Sequence, residues 1–183
     1  SLKVMLSAPD TPGNVTVIID KTASINFTRS LIDWGKGAVL PTFQFDVLDT
    51  NSTNNPDNSS KGFWNRGINL PKSGDGGDGG NGGFLIENTG NSAVILSVTG
   101  ATAATFLPDT GSCGSCPNSE FGFLMVNNEG GSCTAQVTGW GPAWTSFSGG
   151  AQTVCNSFNS LDTTDLIEMH IHILIPEDVT LTP

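Results

Sequence analysis

FLIENTGNSAVILSVTG, residues 84–100, reads as strand, turn, strand. Phe84 and Ile86 alternate with Leu85 and Glu87, the period expected of a segment whose two faces meet different surroundings. Asn88, Thr89, Gly90 and Asn91 then supply turn chemistry, because Asn and Gly tolerate left-handed backbone angles. A second strand follows over 93–99. The expectation is a hairpin at the centre of a β-sandwich.

The same period of two recurs on both sides of this stretch, and no segment spaces its apolar residues as a helix does. With 183 residues, 23 Gly and 10 Pro, the chain suits short strands joined by turns. The expected fold is all-β: a single Ig-like or jelly-roll-like β-sandwich with long loops over 14–183. Residues 1–13 form a separate N-terminal strand and Pro-rich linker. In 1–7, Leu2, Val4 and Leu6 alternate with Lys3, Met5 and Ser7, and Pro9 and Pro12 hold the linker extended. A strand on such a linker can join its own sheet or a neighbour's.

Further strands are expected at 14–20 and 24–28, with Trp34 packing at a sandwich end. In 43–48, Phe43, Phe45 and Val47 should face inward and Gln44 and Asp46 outward. Residues 121–126 and 133–140 read as a second hairpin. The longest strand is DLIEMHIHILI, residues 165–175.

The formal net charge is −10 with only seven Lys and Arg, too few cations to neutralise a nucleic-acid backbone. An anionic membrane would repel the chain, and no run of eighteen apolar residues is present to insert into one. Four cysteines, Cys113, Cys116, Cys133 and Cys155, and four Asn-x-Ser/Thr sequons, at Asn14, Asn26, Asn51 and Asn58, point to export. Asn51 and Asn58 lie in the polar loop 49–62 and are the preferred glycan acceptors. The chain opens on Ser1 with no signal-peptide pattern, as expected if a signal has been removed. An extracellular, cell-surface location follows as the expectation.

Several groups could bind ligands. In 73–83, SGDGGDGGNGG sets Asp75, Asp78 and Asn81 three apart on a backbone that can wrap closely, so calcium is the ion this composition suits. A solvated surface loop accounts for the same residues. Cys113-Gly-Ser-Cys116 would suggest redox or zinc chemistry in a cytosolic protein, but it sits among Gly, Ser and Pro and lacks a second close pair. Two structural disulfides are expected instead, with each member of the close pair joined to one distant cysteine; connectivity itself is not legible in sequence. On the long strand, Glu168, His170 and His172 share a face and could ligate a transition metal, though three positions in line fit tetrahedral geometry poorly. The alternative is a polar outer face. Trp140, Trp144 and Phe147 could stack on sugars or serve as core aromatics.

No nucleophile–base pattern, phosphate loop or arguable acid pair emerges, so an enzyme is not expected. The ENTGN turn between two apolar strands, the SLIDWG run at 30–35 and the long strand ending in Ile175-Pro-Glu-Asp resemble secreted archaeal and bacterial surface proteins with Ig-like sandwiches. Over roughly 14–183 the pattern is similar to archaeal bundling pili and camelysin-like fibre subunits of biofilms. In that class another strand of the sandwich usually follows the long one, whereas here Pro183 comes soon after. The resemblance implies a homopolymer in which the N-terminal strand of one copy fills the incomplete sandwich of the next. Such head-to-tail contacts do not close and propagate as a fibre. The competing expectation is a monomeric adhesin or carbohydrate-binding module, calcium-dependent through Asp75, Asp78 and Asn81, with surface glycans as partners.

Overall fold

The computed structural model describes residues 21–34, 36–51, 61–65, 82–109 and 113–178. In chain order the elements are β1 (Ile25–Arg29), β2 (Lys36–Val39), β3 (Phe45–Asp49), β4 (Gly62–Asn65), β5 (Phe84–Asn88), β6 (Val94–Val98), a one-turn α1 (Ala103–Phe106), β7 (Glu120–Asn127), β8 (Thr145–Ser146), β9 (Gln152–Phe158) and β10 (Leu166–Pro176). The fold is all-β, with antiparallel pairing throughout and a sandwich-like arrangement.

The eleven-residue β10 is the spine. One edge pairs with β7 from Ile167↔Asn127 to Leu174↔Glu120. The other is shared end to end, by β5 over Leu166 to Met169 and by β3 over His172 to Pro176. Beyond them β1 pairs with β5 and β8 with β7, giving the order β1-β5-β10-β7-β8. The second layer is narrower: β6 pairs with β9, and isolated bridges add Cys133 and Gln136 to β9. Strands β2 and β4 form a separate two-stranded ribbon. The core includes Ile86, Phe123, Met125, Ile167, Met169, Ile171 and Ile173 from the large sheet, with Leu96, Val98, Val154, Phe147 and Phe158 packed in the same cluster. Phe123, Val154, Phe158 and Ile167 are wholly inaccessible to solvent.

Both strands of the 84–100 stretch form, but not as a hairpin. Strand β5 has β1 on one edge and β10 on the other, which leaves no edge for β6. The chain crosses to the second layer instead, where β6 pairs with β9. Asn88, fully buried, fixes this arch: its Nδ2 donates to Ser92 O (3.1 Å) and to Phe158 O on β9 (3.0 Å), while its Oδ1 accepts the Gly90 amide.

Strand β3 is also turned over from expectation. Leu48 opposes Ile173 and Asp46 opposes Ile175, so Asp46 and Leu48 are buried and Phe43 is exposed. The side-chain period is two, and register against β10 outranks the local alternation. The expected 121–126/133–140 hairpin is corrected as well. After the 127–132 turn the chain joins the other layer, where Thr134 N donates to Ser157 O and Val137 N to Val154 O.

Candidate functional site

The large sheet has two unlike faces. On its outer face Glu168, His170 and His172 make the expected polar row, but all three are buried rather than open to solvent. Strands β5 and β3 leave a gap along β10 near Ile171, and Thr50 fills it. Its backbone N donates to Ile171 O (3.0 Å), and its Oγ1 accepts the Ile171 amide (2.9 Å) and lies 3.2 Å from His170 Nδ1. Glu168 Oε1 accepts from Arg29 NH1 (3.2 Å) and from the Gly83 amide (3.1 Å). Gly83 suits this position because a Cβ there would collide with Glu168 and the Met169 carbonyl.

Burial, reinforced by the nearby Arg29 guanidinium, pushes the His170 pKa down to about 4. A neutral ring lets Nδ1 accept the proton that Thr50 has left to give. Thr50, His170 and Glu168 resemble a nucleophile–base–acid set only in composition. Glu168 Oε1 lies 3.9 Å from the same Nδ1 that meets Thr50, so no relay runs through opposite ring nitrogens, and Thr50 has no exposed surface.

Nor do Glu168, His170 and His172 converge as a metal triad. His172 Nε2 turns to Glu120 Oε2 at 3.3 Å, and its ring stacks on Trp144 with centroids 5.0 Å apart. Among the described residues, the donor atoms of Cys113, Cys116 and Glu177 are the one such trio gathered within 4.8 Å.

Among the described residues the core face is incompletely covered. Register sets Phe27 opposite Ile86 and Ile25 opposite Asn88, so both side chains lie on the core side of β1. Yet Phe27 is 50% exposed and Ile25 39%. Phe27 meets Phe84 edge to face, with centroids 6.2 Å apart. Phe84 in turn lines a cavity of about 280 Å³ with Ile32, Trp34, Phe106, Phe121 and Phe147 over Met169 and Ile171. Thr99 and Gly100, just past β6, form part of its wall, and among the described residues β6 pairs on one edge alone. Trp34 Nε1 is buried with no acceptor among the described residues. Trp34 packs against the core cluster and lines this groove.

The disulfides are Cys113–Cys116 and Cys133–Cys155, correcting the expected cross-pairing. The bridges at Cys133↔Phe158 and Gln136↔Cys155 bring the 133–136 segment alongside β9, so the two distant cysteines meet each other. Asn26 is exposed on β1, on the side opposite Phe27, whereas Asn51 is half-buried, so Asn26 is the more accessible of the two described sequons. Trp140 spends its indole N–H on Val154 O (2.6 Å), Trp144 lies against His172, and Phe147 is core; the three do not present one open sugar platform. Leu2, Val4, Leu6, Asn14, Asn58, Asp75, Asp78 and Asn81 lie outside the described residues.

Sequence reading missed β9, whose adjacent buried Val154 and Cys155 break the alternation at a register shift, and it missed Thr50, Arg29 and Glu120, which are linked to β10 only by tertiary contact. No protein-family model, curated protein or solved structure matches the chain. No helix among the described residues is long and apolar enough to cross a membrane.

Proposed function

We propose that the chain is a structural subunit of an extracellular filament, in which Leu2, Val4 and Leu6 of one copy complete the sandwich of the next. The observation that carries this reading is the exposure of Ile25 and Phe27 on the core side of β1, continuous through Phe84 with an open apolar groove. A sandwich face of this kind lacks a covering strand among the described residues, and a period-two apolar segment is the chemistry that covers it.

Magnitudes show what the junction needs. Burying three aliphatic side chains contributes roughly 1.5–3 kcal/mol each. Association costs about 4–15 kcal/mol in lost freedom, so side chains alone come near break-even. Ladder hydrogen bonds supply the remainder, and the second edge of β6 is available for them among the described residues. The two disulfides suit an exported protein.

Negative-stain microscopy and light scattering of the full chain test this against Leu2→Ser/Val4→Ser/Leu6→Ser and Phe27→Glu. Fibres from the wild type, and monomers from both variants at matched folding by circular dichroism, are expected. Concentration-independent monomers from the wild type would sink the reading and turn attention to the groove as a small-ligand or glycan site.

A further inference from the structure

The two disulfides differ in kind. Cys133–Cys155 is buried and staples the 133–136 segment to β9. Cys113–Cys116 closes a ring of four residues, with exposed Gly114 and Ser115 between its half-buried cysteines. So short a loop restrains the unfolded chain little, which makes the chemistry of this pair more informative than its constraint.

Glu177, just past β10, brings a carboxylate oxygen within 4.8 Å of both sulfurs. The neighbouring Asp178 Oδ2 accepts the Cys113 amide at 3.1 Å. Gln44 Nε2 donates to Ser115 Oγ (2.8 Å), and Glu177 N donates to Gln44 O (2.9 Å). The cysteine loop is thus tied to the start of β3 and the end of β10 by bonds that do not depend on the S–S link. Thiol–disulfide catalysts hold their cysteines in electropositive surroundings that favour the thiolate. Here carboxylates stand beside the sulfurs, which disfavours a bare thiolate and favours one neutralised by a cation.

From this geometry we infer that Cys113, Cys116 and Glu177 form a thiol-gated site for a zinc-type divalent cation, closed by the disulfide and opened by a dithiol reductant. In the opening step the S–S bond breaks and each sulfur gains one electron and one proton, while the two thiols of the reductant join as its own disulfide. The cation then displaces the two thiol protons, forming two metal–sulfur bonds and one metal–oxygen bond. Tetrahedral zinc with these donors needs separations of about 3.5–3.8 Å, so the two sulfurs, about 2.05 Å apart in any disulfide, move apart by about 1.7 Å once it is reduced, while Glu177 closes by about 1 Å. The fourth position stays open to water. This inference does not rest on filament assembly.

The test uses the full chain, reduced with a small dithiol and alkylated in parallel to map which cysteines have opened. Cobalt(II) is the spectroscopic probe and zinc the competitor. The reduced chain is expected to bind one cobalt with thiolate-to-metal charge-transfer absorption, and the oxidised chain none. Glu177→Gln is expected to weaken binding by about tenfold or more. Cys113→Ser/Cys116→Ser, taken through the same reduction, must lose the band, which assigns it even where the dithiol also opens Cys133–Cys155. Absence of the band from the reduced wild type, unchanged affinity in Glu177→Gln, or survival of the band in the double serine variant overturns the inference.

Discussion

Acidification from pH 7 to pH 4 should cost this fold stability through His170, an effect separable from the carboxylates by comparison with a His170 variant. Its ring is 2% exposed, beside Arg29, Glu168 and Thr50, and its pKa falls from 6.5 to about 4 in the folded state. The unfolded chain therefore takes up a proton at a pH where the folded chain refuses it. The His170 contribution is fully present above pH 6.5 and is lost as pH falls through 6.5 towards 4. Linkage puts the loss at about 2 kcal/mol by pH 5 and about 3 kcal/mol by pH 4, with little further change below. His170→Asn removes the ionisation while offering Thr50 an oxygen near the Nδ1 position. Urea unfolding followed by tryptophan fluorescence at pH 7, 6, 5 and 4 reads both proteins. Carboxylate contributions common to the two cancel in the difference, so the wild type should lose about 3 kcal/mol more than the variant. Parallel curves from pH 6.5 to 4 would refute the reasoning, because His170 would then titrate alike folded and unfolded.

Asp165 behaves in the opposite sense. Burial first, then the neighbouring Glu129 and Glu87 carboxylates, hold its pKa above 3.8, so it opposes folding at neutral pH and the penalty lifts as pH falls through the raised pKa towards 3.8. Asp165→Asn should raise Tm at pH 7 and leave it nearly unchanged at pH 3; equal effects at both would contradict this. Arg29 is the partner of Glu168, whose side chain is 2% exposed, so Arg29→Ala should cost about 3–5 kcal/mol, and Arg29→Met/Glu168→Met should recover most of it in a double-mutant cycle. Cys133→Ala/Cys155→Ala opens a loop of sequence separation 22 and should cost about 3 kcal/mol, against a smaller loss for Cys113→Ala/Cys116→Ala, where the separation is 3. Thermal unfolding of the two variants side by side ranks them, and equal losses would speak against the loop-length argument.

Strand positions were legible in most of the period-two segments that the structure describes. Segments 24–28, 43–48, 84–87, 93–99, 121–126 and 165–175 all became strands within a residue or two, whereas 133–140, which also alternates, contributes only isolated bridges at Cys133 and Gln136. Partnership was not legible. Strand β5 looked like one arm of a hairpin because Asn88 to Asn91 have turn chemistry, yet that chemistry serves equally to carry the chain between layers. Glu168, His170 and His172 looked like a solvent face because they are polar. They are buried because Thr50, Gly83, Arg29 and Trp144 supply their bonds and cover, and those residues come from distant parts of the sequence.

By itself, then, the amino-acid order determined the all-β class, most strand locations, the acidic character and the capacity for two disulfides. These follow from local periodicity and from counts, which no distant residue can alter. Only the tertiary structure decided which edges pair, which cysteines meet, and that Phe27, on the core side of its strand, stays half-exposed beside an open groove. The physical reason is that a strand carries two hydrogen-bonding edges and two faces, and a local sequence sets the character of its faces but not the neighbour that each edge will find.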